Sequence, residues 1–276
     1  MKVNVIDLKE SYPVKGGTLK CIAMDSPWSE GHENWKRPAV VIAPGGGYTH
    51  VSKREGEPIA LSFLAKGFQA FVLTYVCTPT ERYPEQLIEL ASAVDYVKKH
   101  AEEYFVNPNE IFVVGFSAGG HLTANLAVEH QNVSKKAGVV LDCKPTAVCL
   151  SYAAITEKAG CERVQNVLLA DYSEEEKKSL KAVRYLDEAV TDQVPPAFIW
   201  ATAKDTVVDC RHSLLYATAL AKNGVPFELH IYPAGGHGRS TGTREVVLDM
   251  PECAERISQW LDDCAQFFRM YCEEKF

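Results

Sequence analysis

Three residues spread along a chain of 276 have the side chains that acyl transfer needs: Ser117, Asp205 and His237. A serine hydroxyl is a weak nucleophile until a base takes its proton. An imidazole can do this near neutral pH, and a carboxylate behind it fixes the tautomer and stabilises the imidazolium. Ser117 lies in the pentapeptide Gly115-Phe116-Ser117-Ala118-Gly119, a Gly-x-Ser-x-Gly pattern. Ahead of it, Ile111-Phe112-Val113-Val114 reads as a short buried strand; behind it, His121 to Ala127 reads as a helix with an apolar face. A serine at such a turn sits in a strained conformation that pushes its hydroxyl out of the sheet. The helix behind it aims free N–H groups at any negative charge forming there. Alone, the pentapeptide could be a tight turn with a spare serine. Flanks in this order favour a nucleophile.

The other two residues follow strands of their own. Residues 197–201 read as a buried strand that runs into Thr202-Ala203-Lys204-Asp205-Thr206-Val207-Val208-Asp209. Residues 227–232 read as another, running into Pro233-Ala234-Gly235-Gly236-His237-Gly238. Asp209 is the rival acid, but it lies further from the strand end, where capping the next helix suits it better. The order serine, acid, histidine is that of α/β-hydrolases and not of chymotrypsin or subtilisin. Upstream, Gly45-Gly46-Gly47 follows the strand-like Pro38-Ala39-Val40-Val41-Ile42. A glycine run lets backbone N–H groups face inward, so Gly46 and Gly47, with the N–H of Ala118, form a candidate oxyanion hole. Tyr48 is placed either to line the acyl pocket as a substrate-binding residue or to pack under the loop. His121 reads as a structural histidine, and Arg54 and Glu55 as braces of the glycine loop.

The elements that must position these residues alternate. Strands are expected at 3–6, 18–24, 38–42, 71–76, 111–114, 147–151, 197–201 and 227–232, the first two as a hairpin. Helices are expected at 57–66, 84–104, after Ser117, at 211–222 and at 246–271, with a surface loop at 25–36. This alternation implies a mostly parallel sheet with helices on both faces, and ligand chemistry at the carboxyl ends of the strands. Residues 154–192 break the rhythm and read as a small insertion before the penultimate strand, within one domain spanning 1–276. Its charged run at 174–178 reads as a solvated helix face.

With 46% hydrophobic residues the chain can bury a large core. A net charge of -7 argues against a nucleic-acid partner. No apolar run is long enough to span a membrane, and the N-terminus lacks the pattern of a signal peptide. The nine cysteines are scattered, with no zinc-like spacing. They are expected to be free thiols in a reducing compartment, hence a cytoplasmic protein with no metal and no cofactor.

Pro44-Gly45-Gly46-Gly47-Tyr48, Ser52, Arg54-Glu55, Pro58-Ile59-Ala60 and Gly67-Phe68, with the block from Gly115 to His121, carry a resemblance. So do Leu150-Ser151-Tyr152, residues 195–200, Asp205, Ser213, residues 227–230 and Gly236-His237-Gly238. Together, over about residues 37–262, they resemble the acetyl-xylan-esterase-like (carbohydrate acetylesterase) branch of the α/β-hydrolases, close to the hormone-sensitive-lipase-like group. The resemblance implies Ser117, Asp205 and His237 as the triad and the amides of Gly46, Gly47 and Ala118 as the oxyanion hole. It implies a serine esterase removing small acyl groups, acetyl foremost, from sugars such as xylo-oligosaccharides. There are departures: Ala153 stands where the family usually has proline, and 156–190 matches poorly, so no substrate-facing residue is carried over there. Two other readings share the residue order. One is a small peptidase of the prolyl-oligopeptidase type, although no propeller repeat is present. The other is a non-catalytic binding protein, although such descendants usually lose a triad residue. A small ester is the expected partner, and the sequence leaves room for a homodimer.

Overall fold

The computed structural model describes residues 1–25, 35–247 and 254–273. Among them, eight strands form one sheet: β1 (Lys2–Asp7), β2 (Thr18–Ala23), β3 (Arg37–Ala43), β4 (Gln69–Thr74), β5 (Val106–Phe116), β6 (Val148–Ser151), β7 (Ala197–Thr202) and β8 (Phe227–Tyr232). Their spatial order is β1-β2-β4-β3-β5-β6-β7-β8. The hairpin of β1 and β2 is antiparallel, and β2 runs antiparallel to β4; the strands from β3 to β8 are mutually parallel. The helices are α1 (Glu57–Leu64), α2 (Glu85–Lys99), α3 (Ala118–Glu129), α4 (Val133–Ala137), α5 (Arg163–Leu168), α6 (Glu174–Ser179), α7 (Lys181–Arg184), α8 (Arg211–Lys222), α9 (Ala254–Ser258) and α10 (Trp260–Arg269).

Side chains alternate across a strand, so the central strands feed two cores. Val40, Ile42, Phe112, Val114 and Phe116 cluster with residues of α1 and α10. Their neighbours Ala39, Val41, Ile111 and Val113 cluster with α2 and α3. The first core is aromatic: Phe112 stacks on Phe268 with centroids 4.3 Å apart, and Trp200 on Trp260 at 5.1 Å. Truncating one such ring to alanine costs about 3–5 kcal/mol. Their packing fixes the sheet from which the site's loops emerge.

Two expectations need adjusting, and a third falls mostly outside the described residues. The helix expected at 84–104 stops at Lys99, because the chain turns through Phe105 at φ 53° into a strand beginning at Val106. Asn107, Pro108 and Asn109 hid that beginning, and the pairing register slips there, between Arg37 and Ala39 of β3. The helix expected at 246–271 is not one element: Val246 and Val247 are not helical, and α9 and α10 are separated at Gln259. Of the surface loop expected at 25–36, residues 26–34 lie outside the described residues.

The segment between β6 and β7 holds α5, α6 and α7. α6 buries no side chain, as its charge pattern predicts, and it begins with a capping box between Ser173 and Glu176. Among the described residues no helix is long and apolar enough to cross a membrane.

Candidate active site

β5 ends at Phe116 and α3 begins at Ala118, so Ser117 alone turns the chain, with φ 52° and ψ -113°. That is a sparsely populated region for an L-residue, held by its surroundings. A Cβ on Gly119 would lie 2.0 Å from the Ala43 carbonyl oxygen, so strand and helix can pass only with glycine there. The Ser117 N–H donates to the Ser151 carbonyl at 2.9 Å. Ser117 itself is 8% exposed, within reach of a small reactant.

Asp205 follows β7 in a tight turn. Its Oδ1 accepts from the N–H groups of Val207 and Val208 at 2.8 and 2.9 Å, which leaves Oδ2 aimed at His237 Nδ1, 2.7 Å away. His237 Nε2 in turn lies 2.8 Å from Ser117 Oγ. An ionised carboxylate only accepts, so the proton sits on Nδ1 and Nε2 is the acceptor facing the hydroxyl. The chain of two hydrogen bonds joins residues from the ends of β5, β7 and β8. Asp209 is not part of it: its Oδ1 accepts from the Arg211 N–H at 2.8 Å. Hydrogen bonds from Arg211 hold that carboxyl below its ordinary range.

The glycine loop after β3 presses on the same turn, since a Cβ on Gly45 would come within 3.0 Å of Ser117 Cβ. Gly46 and Gly47 have φ values of 126° and 62°. Among the described residues, the N–H groups of Gly46, Gly47 and Ala118 donate to no protein acceptor. Backbone amides without a protein acceptor are the kind of donor that a developing oxyanion requires. Tyr48 lies under the loop rather than lining a pocket. It is fully buried, and its hydroxyl donates to His121 Nδ1 at 2.9 Å. His121 Nε2 donates to the Val183 carbonyl at 2.8 Å, and burial pushes this imidazole down to about 4, so it stays neutral.

The insertion is docked through such contacts. Asn125 Nδ2 donates to the Ala182 carbonyl at 2.7 Å, beside the His121 bond. His212 Nδ1 accepts from the N–H groups of Ile155 and Thr156, both at 3.1 Å. An open groove of about 680 Å³ runs from Thr49 and Pro79 to Arg163 and Asn166, between the glycine-loop side and α5.

Tyr152, part of the block Leu150-Ser151-Tyr152 in the resemblance, has a place in the site that its sequence context did not announce. It follows β6 at φ 38°, and its ring meets the His237 ring at 5.1 Å, nearly edge-on. Its hydroxyl donates to Glu55 Oε1 at 2.6 Å and accepts from the Ser240 N–H at 3.1 Å. Glu55 Oε2 accepts from the Gly45 N–H at 2.8 Å. Burial, with the carboxylate alongside, holds the phenol far above its ordinary value, so it remains a donor. The available signal was topological: Phe116 pairs with Ser151, so the residues after β5 and β6 must be neighbours.

A mostly parallel sheet with a serine turn after β5 and an acid and histidine after β7 and β8 defines an α/β-hydrolase. A solved structure, the acetyl ester-xyloside bifunctional hydrolase from Caldicellulosiruptor lactoaceticus, matches 97% of the chain, and 96% of its own, at 29% identity with a TM-score of 0.80. The BD-FAE family model matches residues 28–220, and the chain belongs to that family. The match includes Ser117 and Asp205 and stops short of His237. Endo-1,4-beta-xylanase B of Butyrivibrio fibrisolvens is 33% identical over 78% of the chain, and an acetylxylan esterase of Xylanibacter ruminicola 27% identical over 83%. The chain spans 34% and 46% of those two proteins' lengths.

Proposed function

We propose that this protein is a serine carboxylesterase that removes small acyl groups, acetyl foremost, from carbohydrate esters such as acetylated xylo-oligosaccharides. The observation that carries the reading is the continuous hydrogen-bond chain from Asp205 through His237 to Ser117. Ser117 Oγ attacks the ester carbonyl as His237 Nε2 takes its proton, and the amides of Gly46, Gly47 and Ala118 hold the tetrahedral oxyanion. Collapse expels the alcohol, protonated by His237, and leaves an acyl-enzyme. His237 then draws a proton from water, which attacks the acyl carbon and releases the acid. The groove beside the glycine loop is assigned to the sugar. The sugar-ester substrate is supported by an acetylxylan esterase and an acetyl ester-xyloside bifunctional hydrolase among the similar proteins. The eight described cysteines are free, which fits the proposed cytoplasmic setting.

The test is hydrolysis of nitrophenyl esters of increasing acyl length beside acetylated xylo-oligosaccharides and a peptide anilide, for wild type and Ser117→Ala. The expected result is acetyl preference, sugar deacetylation, no anilide cleavage and an inactive variant. Ester hydrolysis surviving in Ser117→Ala would overturn the mechanism, and anilide cleavage would move the protein to the peptidases.

A further inference from the structure

Glu55 is a carboxylate only 3% exposed with, among the described residues, no cation in its hydrogen-bond set. Burying such a group is costly unless it is well bonded, so its partners are informative. They come from loops that the reaction must keep in register. Gly45 opens the glycine loop, Tyr152 follows β6 beside the serine turn, and Tyr152 passes the connection on to Ser240, three residues beyond His237. The neighbouring backbone closes the same circuit: Ser240 Oγ donates to the Arg54 carbonyl at 2.5 Å. Ser240 is anchored from the other side by Trp260 Nε1, which donates to its carbonyl at 2.8 Å.

We propose that Glu55 and Tyr152 are positioning residues, which set the oxyanion amides against His237 by tying the glycine loop to the histidine loop. The inference rests on the esterase reading above and adds to it how two loops from opposite sides of the serine hold one geometry. Neither side chain hydrogen-bonds Ser117 or His237. Tyr152 acts twice, through its hydroxyl on Glu55 and Ser240 and through its ring edge on the imidazole. Without the hydroxyl, Glu55 Oε1 and the Ser240 N–H lose the partner that joins them, and the loops can settle independently. A misplacement on the order of 1 Å between reacting groups slows a reaction about a hundredfold.

The experiment compares wild type, Tyr152→Phe, Glu55→Ala and Glu55→Gln in nitrophenyl acetate hydrolysis, labelling of Ser117 by a fluorophosphonate, and thermal unfolding. Tyr152→Phe and Glu55→Ala are expected to lower kcat and the labelling rate about 10- to 100-fold with KM nearly unchanged. Glu55→Gln is expected to regain part of the loss, because its one oxygen can accept from the Gly45 N–H or from the Tyr152 hydroxyl, though not from both. A purely structural role would lower the unfolding temperature and leave the kcat of the folded protein intact. The inference is overturned if folded Tyr152→Phe keeps kcat within about twofold of wild type, or if Glu55→Gln is as slow as Glu55→Ala. Should Tyr152→Phe not fold, the Glu55 pair decides. Failure of the esterase reading is separately visible, as a wild type that neither hydrolyses the ester nor labels at Ser117.

Discussion

Replacing Asp205 by asparagine changes one atom and should reverse a tautomer. The aspartate has two accepting oxygens and three donors to satisfy: Val207 N–H and Val208 N–H on Oδ1, and His237 Nδ1–H on Oδ2. Asparagine has one accepting oxygen. If that oxygen stays with the two amides, the new NH2 group points at His237 Nδ1, which must then be the acceptor. The imidazole proton moves to Nε2 and faces Ser117 Oγ, where it can donate but cannot take the hydroxyl proton. The same substitution in a serine protease triad lowers kcat by about 10⁴, equivalent to roughly 5.5 kcal/mol of barrier. A loss of that order is expected here in kcat for nitrophenyl acetate, with little change in unfolding temperature. The opposite amide orientation would keep the catalytic tautomer but turn NH2 toward two backbone donors, at about 1–3 kcal/mol for each unsatisfied group. Its signature would be a large fall in stability with a small fall in kcat. Asp209→Asn is the control, since Asp209 bonds Arg211 and not the imidazole. A variant Asp205→Asn within about tenfold of wild type, beside a slower Asp209→Asn, would refute the assignment of the acid.

Other outcomes follow from the same geometry. Asn166→Trp should obstruct the groove beside α5, raising KM for acetylated xylo-oligosaccharides while nitrophenyl acetate is turned over as before. Equal effects on both would remove the groove from the sugar's path. Gly119→Ala should prevent folding, because its Cβ would meet the Ala43 carbonyl at 2.0 Å. Gly138→Ala, at φ 71° in open space, should cost only about 1–2 kcal/mol in a denaturant titration. Stability should peak near neutrality. Burial holds His121 and His212 at about 4 against 6.5 in the unfolded chain, so their contribution is complete above 6.5 and is lost as pH falls toward 4. Burial pushes Glu89 up to about 8 from 4.5, so its contribution is complete below 4.5 and is lost as pH rises toward 8. Denaturant midpoints should therefore decline less between pH 6.5 and 8 in Glu89→Gln than in wild type, and an equal decline would refute this.

How much was legible depended on whether a residue's task was local. Gly119 and the strand and helix around Ser117 are specified within a dozen residues, so the serine turn could be read directly. The meeting of Asp205 and His237 was legible one level up, because parallel strands deliver the loops after them to one edge of the sheet. Tyr152 was not legible in that way. Its partners, Glu55 and Ser240, are 97 and 88 residues away along the chain. Nothing in the spacing of a tyrosine after a strand announces a carboxylate on another loop. The start of β5 was hidden for a different reason. Asn107, Pro108 and Asn109 look like a turn, and only pairing of Val106 with Arg37 makes the segment a strand. The final helix was read as continuous from its apolar residues, whereas the turn at Val246 and Val247 and the break at Gln259 interrupt it.

The way the segment between β6 and β7 is fastened has a bearing on how this scaffold can change. His121 and Asn125 grip it by the main-chain oxygens of Val183 and Ala182, and His212 takes main-chain N–H groups from Ile155 and Thr156. Main-chain groups are common to nearly every amino acid. The clasp therefore constrains the course of the segment while leaving most of its side chains open to substitution. Mutational drift can alter the wall nearest the groove without loosening the helix behind Ser117.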